Sequence, residues 1–275
     1  MSRLWKQLKA LQQKTISPAS TDDGCSKPFV EHLDDLRRTI LWSAAACVAG
    51  IAVVAPFAPR IVALLRHPMT VTGLDAIVPL RITTVGGAFA VAMRVILLSG
   101  FLVSAPLIVL LVGRFVFPGL TSREKRAARR AGGLAVALFA VGVVMGYQWT
   151  LPIALRMMFS VGAWIDTPSA FWETADYMSF VLKLLIGFGL TFELPVVVLA
   201  LGQIGIISAR QLIDKRRYVV VGLLILGMFL TPPDPFTMIL MAAPLIALYE
   251  MCIWVIWFKE RRAAGGGDGD VGPGA

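Results

Sequence analysis

The residues best suited to chemistry in this 275-residue chain are acids set among bases. The stretch FVEHLDDLRRTILW, residues 29–42, holds Glu31, His32, Asp34, Asp35, Arg37 and Arg38. Carboxylates placed there can accept the forked hydrogen bonds of a guanidinium. They can also do something plainer, since acids stabilise the first turns of a helix. Asp34 and Arg38 stand i,i+4 in the favourable order. The residues alone leave both uses open. Glu124, in SREKRAARR, poses the same choice: a receiver of an incoming cation, or a surface acid paired with its own arginines. Glu193 lies inside an apolar run, two residues before Pro195, which lacks a backbone donor and so frees a carbonyl. Glu250 lies in another such run and can snorkel or pair with a base; Lys183 can snorkel outward. Nothing resembles a nucleophile with its base, a Gly-rich phosphate loop or a metal-ligand spacing. His32 and His67 are far apart in sequence, and Cys25, Cys47 and Cys252 form no C-x-x-C. No enzyme activity, metal or cofactor is expected, and His67 is expected in a loop.

The elements that must carry these residues are membrane helices. The chain is 57% hydrophobic and 16% charged, against about 45–50% and about 25% for soluble domains. Six apolar stretches suit a bilayer: 40–58, 90–112, 133–155, 178–201, 218–231 and 236–258. The fifth is short, and Pro244 and Glu250 interrupt the sixth. A span shorter than the bilayer forces thinning, tilt or partner packing. The predicted fold is all-α, with six transmembrane helices whose fifth and sixth are short. No alternating strands argue for a barrel. Within such spans a charge near the bilayer centre costs about 2.5–3.5 kcal/mol, so Glu193 needs a reason to be there.

The net charge of +9 is distributed for a membrane, not for nucleic acid. Most of the 26 basic residues fall in the N-terminal arm, the loops after spans two and four, and the tail. Positive charge at span ends marks the cytoplasmic side, so both termini are expected inside. Loops 59–89, 156–177 and 232–235 are then outside. Residues 1–28 read as a basic arm, 29–258 as the membrane domain and 259–275 as a disordered Gly-rich tail. RIVALL in the long outer loop reads as a short amphipathic helix. Inverted repeats are not evident. Arg37-Arg38 before an apolar run has the form of an export signal, and AAAC hints at lipidation. Both are rejected, because the apolar run continues as a full span and five more follow.

EHLDDLRRTI resembles the H-L-x-E-L-R signature of the TatC family, the core signal-receptor subunit of the twin-arginine protein translocase. SAPLIVLLVGRFVFPGLTSREKR resembles that family's second span and following loop, with Phe115, Pro118, Leu120 and Glu124 in place. SFVLKLLIGFGLTFELPVVV resembles its fourth span, and KRRYVVVGLLILGMFLTPPDPF its fifth span and tight outer turn. The resemblance covers about residues 29–258. It implies a component of the twin-arginine translocation system in a prokaryotic cell membrane. Such a protein binds twin-arginine signal peptides at its cytoplasmic face and exports folded proteins on the proton motive force. The implied partners are TatA- and TatB-type single-span proteins, further copies of itself in a multimeric receptor, and the lipid bilayer. By the same resemblance Asp35 and Glu124 hold the signal arginines, with Leu36, Arg37 and Phe115 shaping the patch. Glu193 faces protein within the bilayer, and Met228, Thr231 and Asp234 meet the single-span partners. The chain departs from the pattern at Asp35, where the family has the longer Glu. It also departs at Gly86 and Gly87, where an acid is usual, and at Met238, where many relatives have Gln.

Two other classes compete with this reading. A proton- or solute-coupled permease would use Glu193 and Glu250 as an ion relay, and would have no need of paired acids outside the membrane. A membrane-anchored enzyme would need a catalytic constellation that the residues do not offer.

Overall fold

The computed structural model describes residues 29–116, 122–164, 166, 171–203, 207–230 and 235–265. The chain divides into two compact units, Met1–Arg37 and Arg38–Ala275. Nine α-helices are described: α1 (Phe29–Val54), α2 (Ala58–Val71), α3 (Gly87–Val116), α4 (Ser122–Met145), α5 (Leu151–Trp164), α6 (Thr174–Thr191), α7 (Leu194–Gln203), α8 (Ala209–Leu230) and α9 (Pro235–Gly265).

Proline sets several of the boundaries. Pro56 falls in a single 3-10 turn, Ala55–Phe57, that ends α1, and Pro59 opens α2. Pro68 sits inside α2 and cannot bond the carbonyl of Leu64. The hydroxyl of Tyr147 donates to that Leu64 oxygen at 2.8 Å, and Tyr177 donates to the next one, Leu65, at 2.8 Å. A π-turn, Gly146–Thr150, joins α4 to α5 immediately before Pro152. His67 is on α2 rather than in a loop, because RIVALL propagates as helix to Val71.

The connection from α2 to α3 is tied to the segment before α6. Strand β1 (Leu80–Arg81) runs parallel to β2 (Trp172–Glu173). The Thr174 hydroxyl donates to Arg81 O at 2.9 Å, and Thr83 donates to Glu173 at 2.8 Å. Beneath this pair lies the main core, with Met69, Val95, Leu151, Leu155, Met178, Val181 and Phe188 buried.

Helix contacts are made close by small residues, the expected device where no hydrophobic effect drives association in lipid. A Cβ on Gly100 of α3 would stand 2.6 Å from Ile51 Cα of α1. At the same crossing Ser104 donates to Gly100 O at 2.7 Å and lies 3.0 Å from Ala46 O. Gly142 of α4 meets α6 likewise: a Cβ there would stand 2.8 Å from Phe188 O.

Helices α8 and α9 form an antiparallel pair. Ser208 and Gln211 cap α8 reciprocally, through Ser208 N to Gln211 Oε1 (3.0 Å) and Gln211 N to Ser208 Oγ (3.3 Å). Glu260 of α9 accepts from Ala209 N at 3.0 Å, and buried Tyr249 donates to Leu212 O at 2.8 Å.

Among the described residues, five stretches are long and apolar enough to cross a membrane: Leu33–Val71, Gly87–Phe115, Gly132–Trp164, Thr174–Gly202 and Ala242–Arg261. The protein is an all-α, multi-pass membrane protein. The expected fifth span lies on α8, which has 22 residues but carries Arg210, Asp214, Lys215, Arg216 and Arg217 in its first half. Any span-length stretch of α8 takes in at least four of those charges, more than an apolar span carries. Two further expectations are corrected. The stretch after span two is helical from Ser122, and α9 continues past Lys259 to Gly265. Both extensions are rich in Ala, Arg, Lys and Glu, good helix formers, and the second stops as the glycine run begins.

Candidate functional site

Glu193 is the acid that the fold treats most unusually. Thr174–Gly202 is one span by length, yet its helix breaks after Thr191. Pro195 provides the cause, since it cannot donate to the carbonyl one turn back at Thr191. The chain passes the break with short-range bonds, Glu193 N to Leu190 O (3.1 Å) and Val196 N to Glu193 O (3.0 Å). This carries the Glu193 side chain inward. The residue is only 6% exposed, and neither carboxyl oxygen has a hydrogen-bond partner among the described residues. An unpaired polar group so placed costs about 1–3 kcal/mol, and more if charged. The arrangement leaves a carboxyl at a helix break within a span, able to receive a donor from a segment entering the bilayer.

Glu250, the other intramembrane acid, is placed differently. Its Oε1 lies 2.5 Å from Arg216 Nε of α8. The contact is one of charge, since the N–H is not aimed to make a hydrogen bond with that oxygen. Glu250 thus pairs with a base, the plainer of its two expected uses. Lys183 is exposed on α6.

The acids expected to read a signal lie at helix beginnings. Asp35 is half-buried on α1, while Leu36 and Arg37 beside it are exposed. These three belong to the unit Met1–Arg37. In the other unit, Phe115 is half-buried in the last turn of α3. Glu124 lies in the first turn of α4, where the helix dipole favours an acid. Only residues 117–121 separate the two helices, so their ends lie within about 20 Å even at full extension of the chain. The side chain of Glu124 is outside the described residues. Met228 is 48% exposed toward the end of α8. Thr231 and Asp234 lie outside the described residues. No group of His, Cys, Asp and Glu among the described residues could hold a metal ion.

Sequence reasoning missed several positioning groups. Tyr147 and Tyr177 were signalled by Pro68, whose missing donor requires that some hydroxyl or amide reach the α2 carbonyls. The pairing of Glu260 with the α8 N-terminus had no local signal, because the two are 51 residues apart.

The chain matches the family model for the Sec-independent protein translocase protein (TatC) over residues 31–244. It is 32% identical over 238 residues to the protein of that name from Magnetococcus marinus, covering 86% of each chain. It is 33% identical over 237 residues to that from Carboxydothermus hydrogenoformans, covering 86% of this chain and 95% of the relative. A crystal structure of the twin-arginine translocase receptor TatC in the detergent DDM superposes with a TM-score of 0.74 at 31% identity. That alignment covers 82% of this chain and 98% of the receptor. The chain belongs to the TatC family of Sec-independent protein translocase proteins.

Proposed function

We propose that this chain is the signal-receiving core of a twin-arginine translocase. It sits in a prokaryotic cell membrane as six spans with both termini cytoplasmic, α8 being the short fifth. Similarity over 98% of a solved twin-arginine translocase receptor carries this reading. The acids Asp35 and Glu124, at the positions matching the family's recognition motifs, add to it.

A signal peptide presents two consecutive guanidiniums, each a planar fork that fits a carboxylate. Asp35 and Glu124 accept from them, while Leu36, Arg37 and Phe115 shape the patch. The surrounding bases repel a cationic peptide that does not engage the acids. Glu193 then offers an acceptor within the bilayer. Met228, Thr231 and Asp234 at the far end of α8 meet TatA- and TatB-type single-span proteins, and further copies of the chain complete a multimeric receptor. The step is transport, driven by the proton gradient, with no catalytic residue and no cofactor.

The test is purification of the tagged chain from membranes containing a twin-arginine precursor. The precursor is expected to accompany it, and a precursor with Lys-Lys in place of Arg-Arg is not. Equal recovery of both would remove signal reading from the account. Orientation is checked in a cysteine-free background. Asp75→Cys and Asp166→Cys are expected to react with an impermeant thiol reagent added outside, whereas labelling of Ala127→Cys instead would invert the map.

A further inference from the structure

Two cations stand near the seam of α3 and α6, Arg94 on one helix and Lys183 on the other. Arg94 of α3 reaches across to α6. Its Nη1 lies 3.3 Å from Ser179 Oγ, 3.4 Å from Ala175 O and 3.6 Å from Asp176 Oδ1. Lys183 stands one helical turn beyond Ser179, on the same face of α6. It is exposed, and it makes no ion pair or hydrogen bond with any described residue. Among the described residues the carboxylate paired with these cations is Asp176, its side chain 82% exposed.

Depth says what such a pair can meet. Taken as continuous through the break after Thr191, the 29 residues of Thr174–Gly202 rise about 43 Å, or about 13 Å more than the hydrocarbon core. Centred, they place Thr174 about 7 Å outside the core and the Lys183 Cα about 7 Å inside. Side chains on a helix lean toward its N-terminus, here the near membrane surface, and a lysine stem reaches about 6 Å that way. The ammonium therefore arrives about 1 Å short of the hydrocarbon boundary, directly beneath the lipid headgroups. Gly87–Phe115 also has 29 residues, and Arg94 lies about 4 Å inside the core by the same reckoning, within reach of the same plane. Below the cations, Leu97 of α3 and Leu190 of α6 are exposed at 46% and 41%, an apolar track suited to an acyl chain.

We propose that Arg94, Ser179 and Lys183 form a binding site for the phosphate of an anionic phospholipid in the groove between α3 and α6. A guanidinium and an ammonium bracket the phosphodiester, while the Ser179 hydroxyl, which donates to Ala175 O at 2.7 Å, accepts from the guanidinium and steadies it. Asp176 repels lipids that lack a net negative charge less than it repels anionic ones, but two cations outweigh it. Net positive charge at the site favours phosphatidylglycerol over phosphatidylcholine, whose own cation competes.

The experiment uses the full chain in nanodiscs of mixed phosphatidylglycerol and phosphatidylcholine, released and weighed by native mass spectrometry. The parent is expected to retain phosphatidylglycerol in preference. Lys183→Leu and Arg94→Gln each reduce the retained phosphatidylglycerol, by about fivefold per cation. Lys183→Arg preserves retention, and Asp176→Asn increases it. Lys183→Leu removes a charge from an apolar span, so loss of folding does not explain its effect. Inorganic phosphate at millimolar concentration leaves retention unchanged, which separates a lipid site from a site for the free ion. Retention by both loss-of-charge variants equal to the parent's overturns the proposal. So does zero-length carbodiimide coupling of Lys183 to a carboxyl of another membrane protein with lipid retention unaffected, for the occupant is then a protein helix.

Discussion

Replacing Glu193 by Met separates a structural role from a functional one. The swap nearly conserves volume, so it adds little packing strain. Both carboxyl oxygens are buried without a hydrogen-bond partner among the described residues. A residue kept for stability would not be left so. Removing an unsatisfied buried polar group recovers about 1–3 kcal/mol. For a chain of this size each kcal/mol corresponds to roughly 2–4 °C in the unfolding midpoint. Glu193→Met is therefore expected to unfold about 2–12 °C higher than the parent in detergent, by intrinsic tryptophan fluorescence against temperature. The same variant is expected to bind precursor normally and to export it slowly, measured by precursor processing in inverted vesicles. A fall in midpoint would refute the reasoning, because the carboxyl would then be satisfied and structural. A rise with export unchanged would show the acid to be a passenger. Solute flux through vesicles that depends on Glu193 would favour the permease.

Two further outcomes follow from the positioning groups. Tyr177→Phe removes the donor to Leu65 O in a buried site and is expected to lower stability by about 1–2 kcal/mol, with Tyr147→Phe, at a half-buried site, costing less. Thermal midpoints of the two single variants and the double variant check this, and no change at Tyr177 would mean that the α2 carbonyls are satisfied otherwise. Arg216→Ala strands Glu250 and is expected to reduce membrane levels more than the double variant Arg216→Ala/Glu250→Ala does, because an unpaired acid is worse than none. Equal loss in both would show that the pair does not couple.

Much of the fold was legible because a bilayer imposes length and apolarity on each span, and four long apolar runs appear at once in the residues. Helix α8 was legible mainly by resemblance, since its charged first half dilutes the hydropathy by which a span is found. Glu193 was legible as a problem, an acid in an apolar run beside a proline, and the break after Thr191 is the local consequence. The helical start at Ser122 was hidden because a run of arginines and lysines reads as a loop when hydropathy is the guide, although those residues favour helix. The pairing of Glu250 with Arg216 depends on how α8 and α9 pack, as do the Tyr177 and Tyr147 contacts. No local pattern carries such long-range partners. The proposed recognition patch rests on motif positions alone, and what the fold adds is that Asp35 and Glu124 stand in the early turns of two helices.

The central claim is that those two acids hold the signal arginines. Charge-assisted hydrogen bonds at a partly dehydrated face give about 1.5–3 kcal/mol each, or roughly tenfold to a hundredfold in affinity. The direct measurement is the dissociation constant of a twin-arginine signal peptide for the reconstituted chain, taken for the parent, Asp35→Ala and Glu124→Ala. Asp35→Glu and Asp35→Asn serve as controls for the carboxylate. The account predicts a loss of about tenfold or more for each alanine variant, binding kept by Asp35→Glu and lost by Asp35→Asn, with thermal midpoints near the parent's. Parent-like affinity in both alanine variants would contradict it and return Asp35 and Glu124 to the role of helix-start charges.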